Sequence, residues 1–179
     1  NVSFQLHPIV YIFFAMFVMV GTDNAVNLTD GVDGLCASIT LPVMIFFTAA
    51  AAAMGKYDLA LLPAALSGGL VAYLFYNWHP AKVFMGDTGS MALGGVLAAA
   101  AVMLKMEFLV AIAGLLYVLE ALSVIIQVAY FKKTRKRFFK MAPIHHHFEL
   151  CGMKEKNVVY LFWGMTLIFC MLAILIANL

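Results

Sequence analysis

Six stretches of nearly unbroken hydrocarbon run through the chain, at about Leu6–Val20, Leu35–Met54, Leu59–Trp78, Ser90–Leu104, Phe108–Phe131 and Val158–Ala177. Each approaches the length needed to cross roughly 30 Å of lipid, the first and fourth being short. Lipid offers no partners for free backbone groups, so each run must close its own hydrogen bonds as a helix. Only 11% of the 179 residues are charged and 65% are hydrophobic, against about 25% charged in soluble domains. That balance excludes a soluble domain. It defines an all-α polytopic membrane protein with six transmembrane helices, residues 1–179 forming a single membrane domain. Pro42 and Pro63 fall inside runs, where they would kink a helix rather than stop it. Ala49–Ala53, Ser67-Gly68-Gly69 and Gly94-Gly95 suit close helix packing. Cys36, Cys151 and Cys170 have no metal-type spacing and no pairing pattern. The chain opens on Asn1 rather than methionine, as expected of part of a longer chain.

Six crossings distribute the connecting segments between two sides. One side receives residues of about 21–34, 77–89 and 132–157; the other receives only 55–58 and 105–107. Lys82, Lys132, Lys133, Arg135, Lys136, Arg137, Lys140, Lys154 and Lys156 fall on the first side, against Lys56 and Lys105 on the second. The excess of cations marks the first side as cytoplasmic, with both chain ends extracytoplasmic. Nearly every residue capable of chemistry arrives on that same side. The basic run Lys132–Lys140 reads as an anchor on anionic headgroups.

Three polar islands stand there. In Asn27–Gly34, "NLTDGVDG", a helical reading puts Asn27, Asp30 and Gly34 on one face and Asp33 beside Asp30. Two carboxylates so close need a cation or donors between them. Gly31 and Gly34 would let a ligand approach the backbone. A calcium loop begun at Asp30 fails, because Val32 would occupy its third position. Helix capping would satisfy one aspartate but not two and an amide. The second island, Asn77–Ser90, holds Asp87 just before a run. Asp87 reads either as a helix cap or, with the first acidic cluster, as a ligand for Mg²⁺, which binds one or two carboxylates plus substrate phosphates. The third island, Met141–Glu149, carries His145, His146 and His147. Consecutive side chains point apart, so the three cannot share one metal from a regular element, yet imidazoles suit phosphates. Glu120 and Gln127, seven apart in the fifth run, share a helix face and read as interhelical packing.

Taken in order, "NAVNLTDGVDGL", "VFMGDTGSMALGG" and "MAPIHHHFE" resemble the phospho-N-acetylmuramoyl-pentapeptide transferases of the polyprenyl-phosphate N-acetylhexosamine-1-phosphate transferase superfamily. The likeness covers essentially the whole chain, and the "PIHHHFE" form resembles the muramoyl-pentapeptide branch rather than the N-acetylglucosamine branch. It implies that these are the last six helices of a ten-helix enzyme in the bacterial inner membrane, with the site on the cytoplasmic face. The implied reaction moves phospho-MurNAc-pentapeptide from UDP to undecaprenyl phosphate with Mg²⁺, leaving UMP and the first lipid-linked peptidoglycan precursor. Carried onto this chain, Asp87 resembles the magnesium ligand, and Asp30 and Asn27 line the same cleft. Asp33, Asn77 and Phe84 resemble the uridine-recognition group, beside Gly31. His145, His146 and His147 match a histidine loop expected to meet phosphates or sugar. The expected partners are the two substrates and membrane lipids, with room for a homodimer and no nucleic acid. One departure stands out. The family's adjacent aspartate pair and a lysine, carried in its earlier helices, have no counterpart here. A UDP-N-acetylglucosamine transferase, a cation transporter and a non-catalytic scaffold are the rival readings. Against the transporter, only Glu120 lies deep in a run and no internal repeat is visible.

Overall fold

The computed structural model describes residues 7–178. Its eight helices are α1 (Pro8–Leu28), α2 (Leu35–Ala53), α3 (Tyr57–Asn77), α4 (Gly86–Leu104), α5 (Glu107–Ala113), α6 (Leu115–Thr134), α7 (Ile144–Leu150) and α8 (Glu155–Ala177). Six of them, all but α5 and α7, are long and apolar enough to cross a membrane. The polytopic all-α reading therefore stands.

Helix α2 is the axis of the bundle. Leu35, Ile39, Val43, Met44 and Phe47 have no exposed surface, and α3, α4, α5 and α8 pack around the helix. By contrast, α1 and α3 turn large apolar side chains outward, among them Phe13, Phe17, Leu61 and Phe75. Such faces suit a hydrocarbon solvent, where no water is displaced and close packing supplies the cohesion. Gly94 shows this where α4 meets α1. A Cβ there would stand 2.7 Å from the Asp23 Cα, so the two backbones meet at a distance only glycine allows.

Several expected boundaries move. The start of the first run at Leu6 lies outside the described residues. Its end is not Val20, because α1 continues to Leu28 and carries Asn24 and Asn27 on the helix itself. Asn24 is kept in the helix by its side-chain amide, which donates to the Val20 carbonyl at 2.8 Å. The fourth helix likewise begins at Gly86, so the connection before it is shorter than expected. The fifth run does not form one helix. It breaks at Gly114, where a Cβ would stand 2.7 Å from the Tyr117 ring and 2.9 Å from the Val110 carbonyl oxygen. Tyr117 shares a 2.7 Å hydrogen bond with Thr40 of α2 in the core, which fixes the start of α6. Pro42 and Pro63 lie inside continuous helices, as expected.

Candidate functional site at one end of the bundle

Helix α1 stops where its side chains begin to compete with its backbone. The Thr29 hydroxyl donates to the Ala25 carbonyl at 2.8 Å, and residues 29–34 form a turn. Gly34 closes that turn in the left-handed region, φ 76°, where an L side chain is strained. The helical reading of Asn27–Gly34 thus fails beyond Leu28, and with it the expected apposition of Asp30 and Asp33. The turn sends the two carboxylates to different partners.

Asp30 goes toward Asp87. Asn27, on the last turn of α1, donates its amide to Asp87 Oδ1 at 3.2 Å and to the buried Ser90 hydroxyl at 2.9 Å. Asp87 lies in the first turn of α4, but Met85 is the residue at its N-cap and no side chain caps the helix. The cap reading of Asp87 is not what the helix shows. Burial first, and then the charge of Asp87, push the Asp30 carboxyl up to about 6. Among the described residues, every carboxylate ion pair is made with a histidine, and neither Asp30 nor Asp87 takes part in one. Two apposed carboxylates without a cationic side chain fit a hard divalent ion, which accepts few protein oxygens and completes its shell with water or phosphate.

Asp33 turns the other way. Its Oδ2 accepts the Ala81 amide at 2.9 Å and lies 3.3 Å from His79 Nδ1, while its own backbone amide donates to Glu155 Oε1 at 3.1 Å. Glu155 Oε2 also lies 3.3 Å from His79. The ligand atoms of Asp33, His79 and Glu155 all fall within 4.8 Å of one another. Sequence reasoning gave no role to His79 or Glu155. Glu155 stands between Lys154 and Lys156, where it looks like ordinary interfacial charge. Asn77 braces the same region from α3: its Oδ1 accepts the Gly34 amide at 3.1 Å and its Nδ2 donates to the Val83 carbonyl at 2.9 Å. It is 4% exposed, whereas the Phe84 ring beside it is 72% exposed.

The histidines diverge on the short helix α7. His145 is wholly buried, with Nδ1 3.0 Å from Oε1 of the equally buried Glu120 in α6. His146 pairs through Nδ1 with Glu149 at 2.6 Å. His147 Nδ1 accepts the Lys140 amide at 3.1 Å, tying the helix to the basic segment. Gln127 holds that segment from α6 by accepting the amides of Phe138 and Phe139. Gly31 is where the first and third islands meet. A Cβ on it would stand 2.5 Å from His145 Nε2 and 3.3 Å from His146 Nε2. The structure therefore gathers Asn27, Asp30, Gly31 and Asp87 with His145 and His146. It sets Asp33 and Asn77 into a neighbouring brace and leaves His147 facing away.

A bundle of membrane-crossing helices with acids, amides and imidazoles gathered at one end is a polytopic membrane protein with a polar site at the lipid boundary. Residues 1–105 match the sequence model of the family described as Glycosyl transferase family 4, and the chain belongs to that family. It is 56% identical over 158 residues, 88% of this chain and 50% of the relative, to a phospho-N-acetylmuramoyl-pentapeptide-transferase of Thermoanaerobacter sp. (strain X514). Proteins of the same name from Desulforamulus reducens and Clostridium novyi (strain NT) share 51% identity over 99% of the chain and 54% over 92%. The chain spans about half the length of these curated relatives. The resemblance carried by the three polar islands holds across nearly the whole sequence.

Proposed function

We propose that this chain supplies the C-terminal part of a phospho-N-acetylmuramoyl-pentapeptide transferase. The enzyme would move phospho-MurNAc-pentapeptide from UDP to undecaprenyl phosphate, releasing UMP at the cytoplasmic face of the bacterial inner membrane. The observation that carries this reading is the closeness of Asp30, in the turn after α1, to Asp87 of α4, with Asn27 holding Asp87 in place. Phosphoryl transfer asks a protein mainly for positioning and for neutralisation of spreading negative charge. Bound at Asp87, with Asp30 opposite, Mg²⁺ would screen the donor pyrophosphate and the leaving UMP. His146, part-exposed beside Gly31, offers a donor to a phosphate or sugar oxygen. Phe84 presents an uncovered ring on which a uracil base would stack, next to the brace formed by Asp33 and Asn77.

A lipid acceptor needs an apolar wall leading to the same place. Such a wall exists between α1 and α5–α6, as a groove of about 340 Å³ lined by Phe17, Val18, Tyr117, Val118, Leu122 and Ile125. Its lining also includes Ala25, two residues before Asn27. The test is release of UMP from UDP-MurNAc-pentapeptide by the full-length protein in detergent, with undecaprenyl phosphate and Mg²⁺. UDP-N-acetylglucosamine serves as the competing donor. Release dependent on all three components supports the reading, and turnover of UDP-N-acetylglucosamine alone would move the protein to the sister branch.

A further inference from the structure

Glu120 and His145 are both fully buried, 3.0 Å apart. The contact lies off the line of an ideal hydrogen bond, and neither Glu120 oxygen nor either His145 nitrogen has another partner. A fully buried carboxylate with no other side-chain donor is costly unless something shares its charge. Among the described residues, the imidazole is its one ion-pair partner. The other face of that imidazole is equally committed, because Nε2 abuts Gly31, where even one added methyl would stand 2.5 Å away. Gly31 follows Asp30 directly. A continuous line of contact therefore runs from the interior of α6, through α7, to the turn that aims Asp30 at Asp87.

We propose that Glu120 is a positioning residue: acting through His145, it holds the Asp30–Gly31 turn at the height where Asp30 faces Asp87. With the Nδ1 hydrogen turned toward Glu120, the unprotonated Nε2 meets the Cα hydrogens of Gly31, a contact that a second N–H would spoil. His145 then serves as a strut rather than as a group that touches substrate. The catalytic consequence rests on the transferase reading above; the geometric one does not.

The experiment uses the full-length protein in detergent micelles, with ¹⁵N-labelled histidine and ¹³Cγ-labelled aspartate, as wild type, Glu120→Leu, Glu120→Gln and Gly31→Ala. In the wild type, His145 is expected to show a protonated Nδ1 and an unprotonated Nε2. Glu120→Leu should reverse that tautomer and shift the Asp30 ¹³Cγ resonance, while leaving that of Asp58, in the first turn of α3, in place. Glu120→Gln, which keeps an oxygen acceptor, should retain most of the wild-type signature, and Gly31→Ala should disturb Asp30 as Glu120→Leu does. In the turnover assay, Glu120→Leu should lower kcat at least tenfold with donor KM within threefold, and Glu120→Gln should recover most of the loss. An Asp30 resonance unchanged in Glu120→Leu would overturn the strut, as would a kcat unchanged in that variant. A wild type that fails to release UMP would instead count against the transferase reading, and the spectra alone would then judge the strut.

Discussion

The Asn27 amide nitrogen stands 3.2 Å from an Asp87 carboxylate oxygen, joining the last turn of α1 to the first turn of α4 across 60 residues of sequence. That bond makes the two helix ends a single unit, because the same amide also holds Ser90. Asp87→Asn in the full-length protein should lower turnover by at least roughly a hundredfold, the scale of losing one strong electrostatic contact in a transition state. Asn27→Ala should cost about 1 kcal/mol of stability and a smaller share of turnover. Near-normal UMP release by Asp87→Asn at saturating Mg²⁺ would remove Asp87 from the chemistry.

Asp30 should make the folded protein less stable at high pH. Its carboxyl is held at about 6, above the ordinary 3.8, so the folded state binds this proton more tightly than the unfolded chain does. Below about 3.8 both states are protonated and Asp30 costs nothing. The cost grows as pH rises from there and is complete above about 6. Asp30→Asn should therefore stabilise the folded protein at pH 8 by roughly 1 kcal/mol after solvent screening is allowed for, read as a higher melting midpoint. The gain should shrink as pH falls toward 4, and added Mg²⁺ should shrink it at pH 8. A gain independent of pH would mean that charge is not its source.

Asn77 carries a structural load that a purely nucleotide-binding role would not. Replacing it with alanine strips partners from the Gly34 amide and the Val83 carbonyl, each worth about 1–3 kcal/mol when buried. Asn77→Ala should lower the melting midpoint in detergent by several degrees, together with any rise in donor KM. A raised KM at unchanged stability would assign the side chain to the ligand alone.

Membrane orientation is checked by single cysteines introduced in a background freed of native ones. Positions Lys136 and Thr88 should be labelled only from the cytoplasm, and Tyr57 only from outside. Labelling of position 88 from outside would overturn the one-sided site.

The six crossings were legible because lipid imposes one solution on any long apolar run. Polarity, however, proved a poor marker of where a helix ends. Asn24 and Asn27 look like loop residues, yet each is satisfied within or beside the bundle, so α1 runs through them. Gly114 breaks the fifth run without any change in hydropathy, since the break comes from the room taken by Tyr117. The acidic turn was readable as a site but not in its pairing. A turn, not a helix, decides that Asp30 meets Asp87 and Asp33 meets His79 and Glu155. Glu120 lies in the fifth apolar run and His145 in the third island, and no spacing rule connects them before the chain folds.

The link from Asp33 to Glu155 spans 122 residues, which bears on how the protein is made. A ribosome adding about 5–20 residues per second delivers Glu155 roughly 6–25 s after Asp33 has left the exit tunnel. Throughout that interval the acidic turn waits at the membrane surface without its last partner. His79, Asp87 and then His145 reach it one after another, and only the start of the final helix completes its bonding. Synthesis interrupted before that helix leaves a bundle with its membrane core largely built and its chemistry unfinished. Such a chain leaves the Asp33 amide at the membrane surface without its Glu155 acceptor.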